Sequence, residues 1–315
     1  MRQSLYSYIF SVVVFIISYS LYPQYSEGDQ TNYRMFYDVA SLLPISDAFY
    51  VYQQLLGTSE PLYFLLTYAL SGVLDKDFLF SFVNSMISYF VVSWMLKSRV
   101  SFLFLPLLLT NFYVLVLFFA AERLKIGVLF FLFAARAGQF NSYLFSALAI
   151  FSHLQMSVPA VILQIIRLQK DFLRLAQGFL TKKLFLSCFC IFVLALMAIP
   201  LLEHATGKLI FYMSASGGLA EILKPLVFLM LSVYYANDKF VAFLSSAQIV
   251  LLSLLVGSDR LVIFSYFLFM YYGLKVNRGV NFGVAVSSLY FSVKGIIFIQ
   301  SVLECGEGFS CLAAS

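Results

Sequence analysis

Charge is what this chain has least of. Only 11% of its 315 residues are Asp, Glu, Lys or Arg, against 62% apolar, where soluble domains carry roughly 25% charged residues. No polar block is long enough to form a separate soluble domain, so 1–315 reads as a single integral membrane domain. The two histidines and four cysteines have no zinc-ligand spacing, and no acidic metal-binding motif is evident, so no metal or other cofactor is expected. There is no basic stripe for nucleic acid, no internal repeat and no low-complexity segment. The first apolar run, 5–22, is not followed by a small-residue cleavage site; Tyr22-Pro23-Gln24 is a poor one. It therefore reads as a retained helix and not as a signal peptide. Cys188 and Cys190 lie in an apolar run and read as packing residues, whereas Cys305 and Cys311 flank a Gly-rich tail and could pair in an oxidising compartment.

What the chain does have is apolar length. Its mean hydropathy is +0.92 and it holds 36 Phe and 21 Tyr. Backbone polar groups in hydrocarbon must be satisfied within the segment, so the apolar runs are helices. The expected class is an all-α polytopic membrane protein of about 11–12 helices. Spans are predicted near 5–22, 78–96, 101–120, 124–137, 140–152, 154–167, 184–202, 221–236, 240–256, 261–274 and 280–300. A shorter apolar helix covers 61–74.

The few charges set the orientation. Loop 167–183 carries Arg167, Lys170, Arg174, Lys182 and Lys183 against Asp171, which places it in the cytoplasm. Loop 23–60 carries Glu27, Asp29, Asp38, Asp47 and Glu60 against Arg34 and reads as external. A full crossing at 61–74 would make 78–96 run the wrong way. Either 61–74 is a re-entrant or interfacial helix, or 101–120 breaks at Pro106 or Asn111 into a hairpin. With the first choice Asp29, Glu60, Glu122, Arg123, His153, Glu203, His204, Asp259 and Arg260 all fall at external helix ends or loops.

Each of these has a plain reading and a functional one. Arg123 and Arg260 are interfacial arginines that anchor helix ends, or guanidinium forks presented to a phosphate. His153 is a turn residue, or a base close to a diphosphate or sugar. Glu60, ahead of Pro61, is a helix-start carboxylate, or a group that orients sugar hydroxyls or the arginines. Asp29 is a solvated carboxylate or a ligand to sugar hydroxyls, and Tyr33 and Tyr37 could stack on sugar rings.

Five segments occur in a familiar order. They are Gly28-Asp29-Gln-Thr-Asn-Tyr33 with Phe36-Tyr37, Ser59-Glu60-Pro61-Leu-Tyr-Phe, Glu122-Arg123-Leu-Lys-Ile-Gly, Phe151-Ser152-His153-Leu-Gln-Met and Asp259-Arg260-Leu-Val-Ile-Phe-Ser-Tyr. Together, over roughly 25–275, the set resembles the EpsG family of exopolysaccharide proteins, which includes many Wzy-type O-antigen and capsule polymerases. The chain departs from the family pattern in lacking a Thr between Gly28 and Asp29, the Gln that usually follows the arginine at 123, and a small residue at Gln155. The resemblance implies a fold like the C-class glycosyltransferases in a bacterial inner membrane, with the active site facing the periplasm or exterior. It implies joining of undecaprenyl-diphosphate-linked oligosaccharide repeats, with lipid-linked donor and acceptor as partners and a separate chain-length copolymerase alongside. Arg123, His153 and Arg260 are then the catalytic candidates, and Asp29, Tyr33, Glu60 and Asp259 the substrate-binding ones. A lipid-linked glycan flippase or transporter and an O-antigen ligase are the alternatives.

Overall fold

The computed structural model describes residues 2–185, 187–189, 206–207 and 222–309. The regular elements among them are all helices. In chain order they are α1 (Arg2–Leu21), α2 (Asp29–Ala40), α3 (Ile45–Leu56), α4 (Pro61–Ser71), α5 (Lys76–Lys97), α6 (Phe104–Leu109), α7 (Phe112–Leu115), α8 (Glu122–Arg136), α9 (Gln139–Ser152), α10 (Ser157–Ala176), α11 (Leu223–Tyr235), α12 (Lys239–Val256), α13 (Ser258–Gly273) and α14 (Phe282–Cys305). Among the described residues, three helical stretches are long and apolar enough to cross a membrane: Ser4–Gln24, Lys76–Lys97 and Val276–Cys305. Shorter apolar helices cover Pro61–Ser71, Leu154–Gln169, Leu223–Tyr235, Lys239–Leu254 and Leu261–Gly273. The chain is thus an all-α membrane protein. The expected span 184–202 lies largely outside the described residues, and Glu203, His204, Cys190 and Cys311 lie wholly outside them.

The chain falls into two compact units. One comprises Met1–Leu132, Phe151–His153 and Leu274–Ser315; the other comprises Phe133–Ile150 and Leu154–Gly273.

In the first unit α1 packs along α5. The buried positions of α1 are Ser7, Ser11, Val14 and Ser18, spaced by four, three and four residues, which is one face of a helix. Three of the four are serines, so the backbones can approach closely, as small residues allow in membranes. Asn84 on α5 donates to Ser18 Oγ at 3.2 Å, and Lys76 lies over the Tyr22 ring, so the two helices run antiparallel. The opposite face of α1, with Leu5, Ile9, Val13 and Ile16, is exposed, as a lipid-facing surface should be.

Segment 23–60, expected as a loop, contains α2 and α3. On α2 the buried residues are Gln30, Tyr33, Phe36, Tyr37 and Ala40, again a helical repeat. Phe36, Phe49, Tyr52 and Phe64 then form an aromatic cluster that joins α2, α3 and α4. Ring pairs of this kind add about 0.5–1.5 kcal/mol beyond their burial. Gly57 ends α3 with φ +57, a left-handed conformation that suits glycine. Pro61 opens α4.

The span expected at 101–120 is interrupted at Asn111, one of the two break points that the sequence offered as the alternative. α6 stops at Leu109, and Asn111 starts α7 by accepting from the N–H groups of Tyr113 and Val114. α7 runs on into a π-helical turn, Val116–Ala120. α14 packs against this break, where Gly295 lies so close that an added Cβ would stand 1.8 Å from the Thr110 carbonyl oxygen. Beyond α14, the carbonyl of Gly306 accepts from Ser26 N–H and Glu27 N–H at 3.1 and 3.0 Å. The C-terminal turn therefore holds the chain that leads into α2. Cys305, the last residue of α14, is disulfide-bonded.

In the second unit α11, α12 and α13 pack together, and α10 packs on α12. The basic segment expected as loop 167–183 is helical through Ala176. Arg167 projects from it to the carbonyls of Ala134 and Ala135, at 2.9 Å each, and so satisfies acceptors left over at the end of α8.

Candidate functional site

In the first unit the polar residues of four separate segments meet. Glu60 occupies the position before α4, where a carboxylate normally bonds the first N–H groups of the helix. It makes no such bond. Its Oε2 accepts from Arg123 Nη1 at 2.7 Å, and its Oε1 meets His153 Nδ1 at 2.8 Å. The Glu60 side chain is only 4% exposed, that of Arg123 18% and that of His153 15%. Tyr52 holds the backbone at this point by donating to the Glu60 carbonyl at 3.1 Å.

Arg123, the second residue of α8, uses a second donor as well, with Nε bonding Tyr33 Oη at 3.0 Å. Burial pushes the Tyr33 phenol up to about 12, partly opposed by the neighbouring guanidinium, so it remains an uncharged partner at neutral pH. Burial likewise raises Tyr52 well above its usual value. Arg123 has five N–H donors, and with Nε and Nη1 engaged, Nη2 is the end of the fork left to meet a ligand. Beside it lies a small open cleft of about 60 Å³ lined by Asp29, Asn32, Tyr33, Leu55, Leu56 and Arg123.

A second, deeper layer adjoins the first through the peptide bond between Glu122 and Arg123. Glu122 is fully buried and accepts from Lys76 Nζ at 2.6 Å and from Tyr63 Oη at 3.0 Å. Lys76 also donates to Gln30 Oε1 at 2.7 Å. Lys125, also fully buried, donates to the Tyr22 hydroxyl and to the carbonyl of Phe118. The π-helical turn leaves carbonyls without their usual helical partners. Those of Phe118 and Phe119 accept from Tyr22, Asn84 and Gln30. Buried charges persist only when paired and hydrogen-bonded, and each of these has its partners.

This layer also fixes the course of α4. Glu60 precedes the helix and Lys76 follows it, yet both reach the first turn of α8. The chain therefore enters and leaves α4 at the same end of α8. Eleven residues rise about 16 Å, roughly half the hydrocarbon thickness.

The sequence-derived candidates divide as follows. Tyr33, Glu60, Arg123 and His153 form one bonded chain, and Asp29 borders the same cleft from the first turn of α2. Asp259 and Arg260 open α13 in the second unit, and their side chains lie outside the described residues. Sequence reasoning did not single out Lys76, Lys125, Gln30, Tyr22 or Tyr63, and it placed Glu122 only among the charges at the helix ends. The available signal was Glu122-Arg123-Leu-Lys125, three charges within four residues between two apolar runs. Among the described residues no group of three or more His, Cys, Asp or Glu side chains is arranged to hold a metal.

The class these features define is an all-α membrane protein with a buried ionic cluster opening on a small cleft. Comparison with known protein families, with curated proteins and with solved structures finds no match.

Proposed function

We propose that this protein is a polysaccharide polymerase of the Wzy type, with a fold of the C-class glycosyltransferase kind. It joins oligosaccharide repeats carried on undecaprenyl diphosphate at the outer face of a bacterial plasma membrane. The observation that carries the reading is the Glu60 carboxylate, which bridges Arg123 and His153 beside a cleft bordered by Asp29 and Tyr33. Four of the five segments that resemble the family contribute to this one site.

The chemistry matches the donor set. The acceptor hydroxyl oxygen attacks the anomeric carbon of the donor, the bond from that carbon to the diphosphate breaks, and its electron pair leaves with the diphosphate oxygen. Arg123, prepositioned by Tyr33 and Glu60, stabilises the charge that develops there; preorganised donors of this kind are commonly the largest part of a rate gain. Glu60 takes the Nδ1 proton of His153 as a hydrogen bond, which leaves Nε2 as the accepting nitrogen. Nε2 receives the proton of the acceptor hydroxyl, and general-base assistance contributes about 10²–10⁴-fold.

Outward orientation is supported by α5. Its start at Lys76 belongs to the site, and its end at Lys97, with Arg99 just beyond, lies about 33 Å further on by helix rise. Basic residues at that far end favour the cytoplasm.

The test is extension of lipid-linked repeat units, extracted from a strain lacking this protein, by the purified protein in detergent. A ladder of polymer is expected, and it should vanish with Arg123→Ala and His153→Ala. Failure of the wild-type protein to lengthen such units would remove the reading. In cells, loss of a polymerase leaves single repeats on the carrier or on lipid A, whereas loss of a flippase leaves none. Arg260→Ala tests separately whether that residue contributes.

A further inference from the structure

The turn that closes α10 is built to project. Arg167 ties the helix to the carbonyls of Ala134 and Ala135, and Leu168 and Asp171 are buried further along it. Leu175, one turn on from Asp171 along the same face, is exposed, so the last turn of α10 runs beyond the surface it packs on. Gly178, at φ +86, ends the helix. Phe179 N–H donates to the Arg174 carbonyl at 2.9 Å and Gly178 N–H to that of Leu175 at 2.8 Å, the paired bonds of a Schellman motif. A new helical turn starts at Thr181, whose Oγ1 accepts from Leu184 N–H at 3.2 Å. The chain is then held again. Leu184 is buried, and Ser187 Oγ accepts from Tyr143 Oη on α9 while donating to the Lys183 carbonyl. Segment 172–183 is thus anchored at both ends and stands out between them.

What the segment presents is an apolar tip between cations. Phe179 and Leu180 at the tip are each 67% exposed, and Phe185 beyond them is 66% exposed. Among the described residues of 172–185 the exposed ions are Arg174, Lys182 and Lys183. The nearby carboxylate, Asp171, is buried. The exposed face of α1 is different, with Leu5, Ile9, Val13 and Ile16 and no cation between them. Exposed Phe and Leu flanked by Arg and Lys suit the headgroup level of a bilayer, with the apolar side chains among the acyl chains and the cations at the phosphates. We propose that segment 172–185 is a docking surface for anionic phospholipid of the cytoplasmic leaflet. Phe179 and Leu180 seat in the leaflet, and Arg174, Lys182 and Lys183 take the acidic headgroups. Charge decides against zwitterionic lipid, because each Lys or Arg near an anionic surface is worth about fivefold in binding. The polymerase reading is not needed for this assignment.

The experiment uses the full-length chain in lipid nanodiscs. The chain has one Trp, so Trp94→Phe with Phe179→Trp leaves a single fluorescent reporter at the tip, in a residue type that favours the interface. Every disc contains phosphatidylcholine and phosphatidylglycerol in the same ratio. Only the brominated, quenching lipid is switched between the two, at equal mole fraction. Brominated phosphatidylglycerol is expected to quench at least about twofold more strongly than brominated phosphatidylcholine, since anionic lipid gathers at the cations. Arg174→Gln, Lys182→Gln and Lys183→Gln together should make the two equal, whereas Arg174→Lys, Lys182→Arg and Lys183→Arg together should keep the preference. Raised salt should erase it with those three residues unchanged, a check that does not depend on the folding of the Gln variant. Equal quenching by the two lipids overturns the proposal, as does a preference that survives the Gln variant or raised salt, or one lost in the charge-preserving variant. Quenching by neither lipid would show that the tip is not seated in the bilayer and would overturn it outright.

Discussion

Replacing Glu60 by Gln changes one atom and separates a structural carboxylate from a functional one. The side chain keeps its shape, so the question is which way the amide turns. Arg123 Nη1, 2.7 Å from Oε2, is a donor under every condition. Turning the amide NH₂ toward it would set donor against donor, so the amide oxygen faces Arg123. The NH₂ then faces His153 Nδ1, which lies 2.8 Å from Oε1 and must become the acceptor. The imidazole proton moves to Nε2, and the nitrogen assigned to take the acceptor hydroxyl proton can no longer do so. The expected rate loss is the worth of a general base, about 10²–10⁴-fold. Stability should change far less, because both hydrogen bonds survive with reduced charge assistance, a loss of about 1 kcal/mol. Glu60→Ala should cost more. It leaves the Arg123 and His153 side chains, 18% and 15% exposed, with a lost partner; fully buried pairs lose about 3–5 kcal/mol in this way, and residual solvent contact lowers that figure here. The assay pairs polymer formation from lipid-linked units with thermal unfolding in detergent. A Glu60→Gln protein that elongates at the wild-type rate would refute the tautomer argument. One that loses activity only in proportion to lost folded protein would refute it equally.

Other outcomes follow from the same geometry. Glu122→Ala should leave Lys76 and Lys125 buried without their carboxylate and cost about 3–5 kcal/mol, read as a sharp fall in folded protein recovered from membranes. Arg123→Lys should keep the protein in the membrane but abolish polymer, since one ammonium cannot replace a planar fork that meets Tyr33, Glu60 and a ligand together; wild-type polymer length would sink the assignment. Gly295→Ala should destabilise by about 1–3 kcal/mol or more, because the new methyl would fall 1.8 Å from the Thr110 carbonyl oxygen and backbone cannot step aside as a side chain can; an unchanged melting temperature would count against the packing of α14 on the α6–α7 break. Reporter fusions at 57 and at 98 should report opposite sides of the membrane, external then cytoplasmic, and matching sides would overturn the orientation of α5.

Which features could be read from the sequence follows from the range of the forces involved. The helices at 5–22, 78–96 and 280–300 were legible because long apolar runs have one stable form in lipid. The helices inside 23–60 were not, because charged residues such as Asp29, Arg34, Asp38 and Asp47 interrupt the apolar run. Their signal was the helical repeat of Gln30, Tyr33, Phe36, Tyr37 and Ala40, which marks one buried face rather than a span. At 101–120 uniform apolarity favoured one span, and the break stood only as the alternative reading. Asn111 carried the clue, since an Asn ahead of a helix competes for its first N–H groups. Arg167, Lys170 and Arg174 read as a loop because charge was counted without regard to helix propensity, yet Lys and Arg are good helix formers.

The site shows the same division. A carboxylate before a proline at a helix start has a local use and a distant one, and nothing near Glu60 in sequence decides between them. The decision belongs to Arg123 and His153, 63 and 93 residues away. The same holds more strongly for Lys76, whose neighbours in sequence suggest only a helix-end charge. Inside the fold it is one of two ammonium groups beside a single buried carboxylate. That carboxylate, Glu122, is the residue next to Arg123, so the deeper layer anchors the first turn of α8 while the outer layer aims its guanidinium. Such an arrangement explains why charge is so sparse elsewhere. In a chain that must satisfy every buried ion, the described buried ion pairs gather where α4, α5 and α8 begin, close to the cleft that needs them.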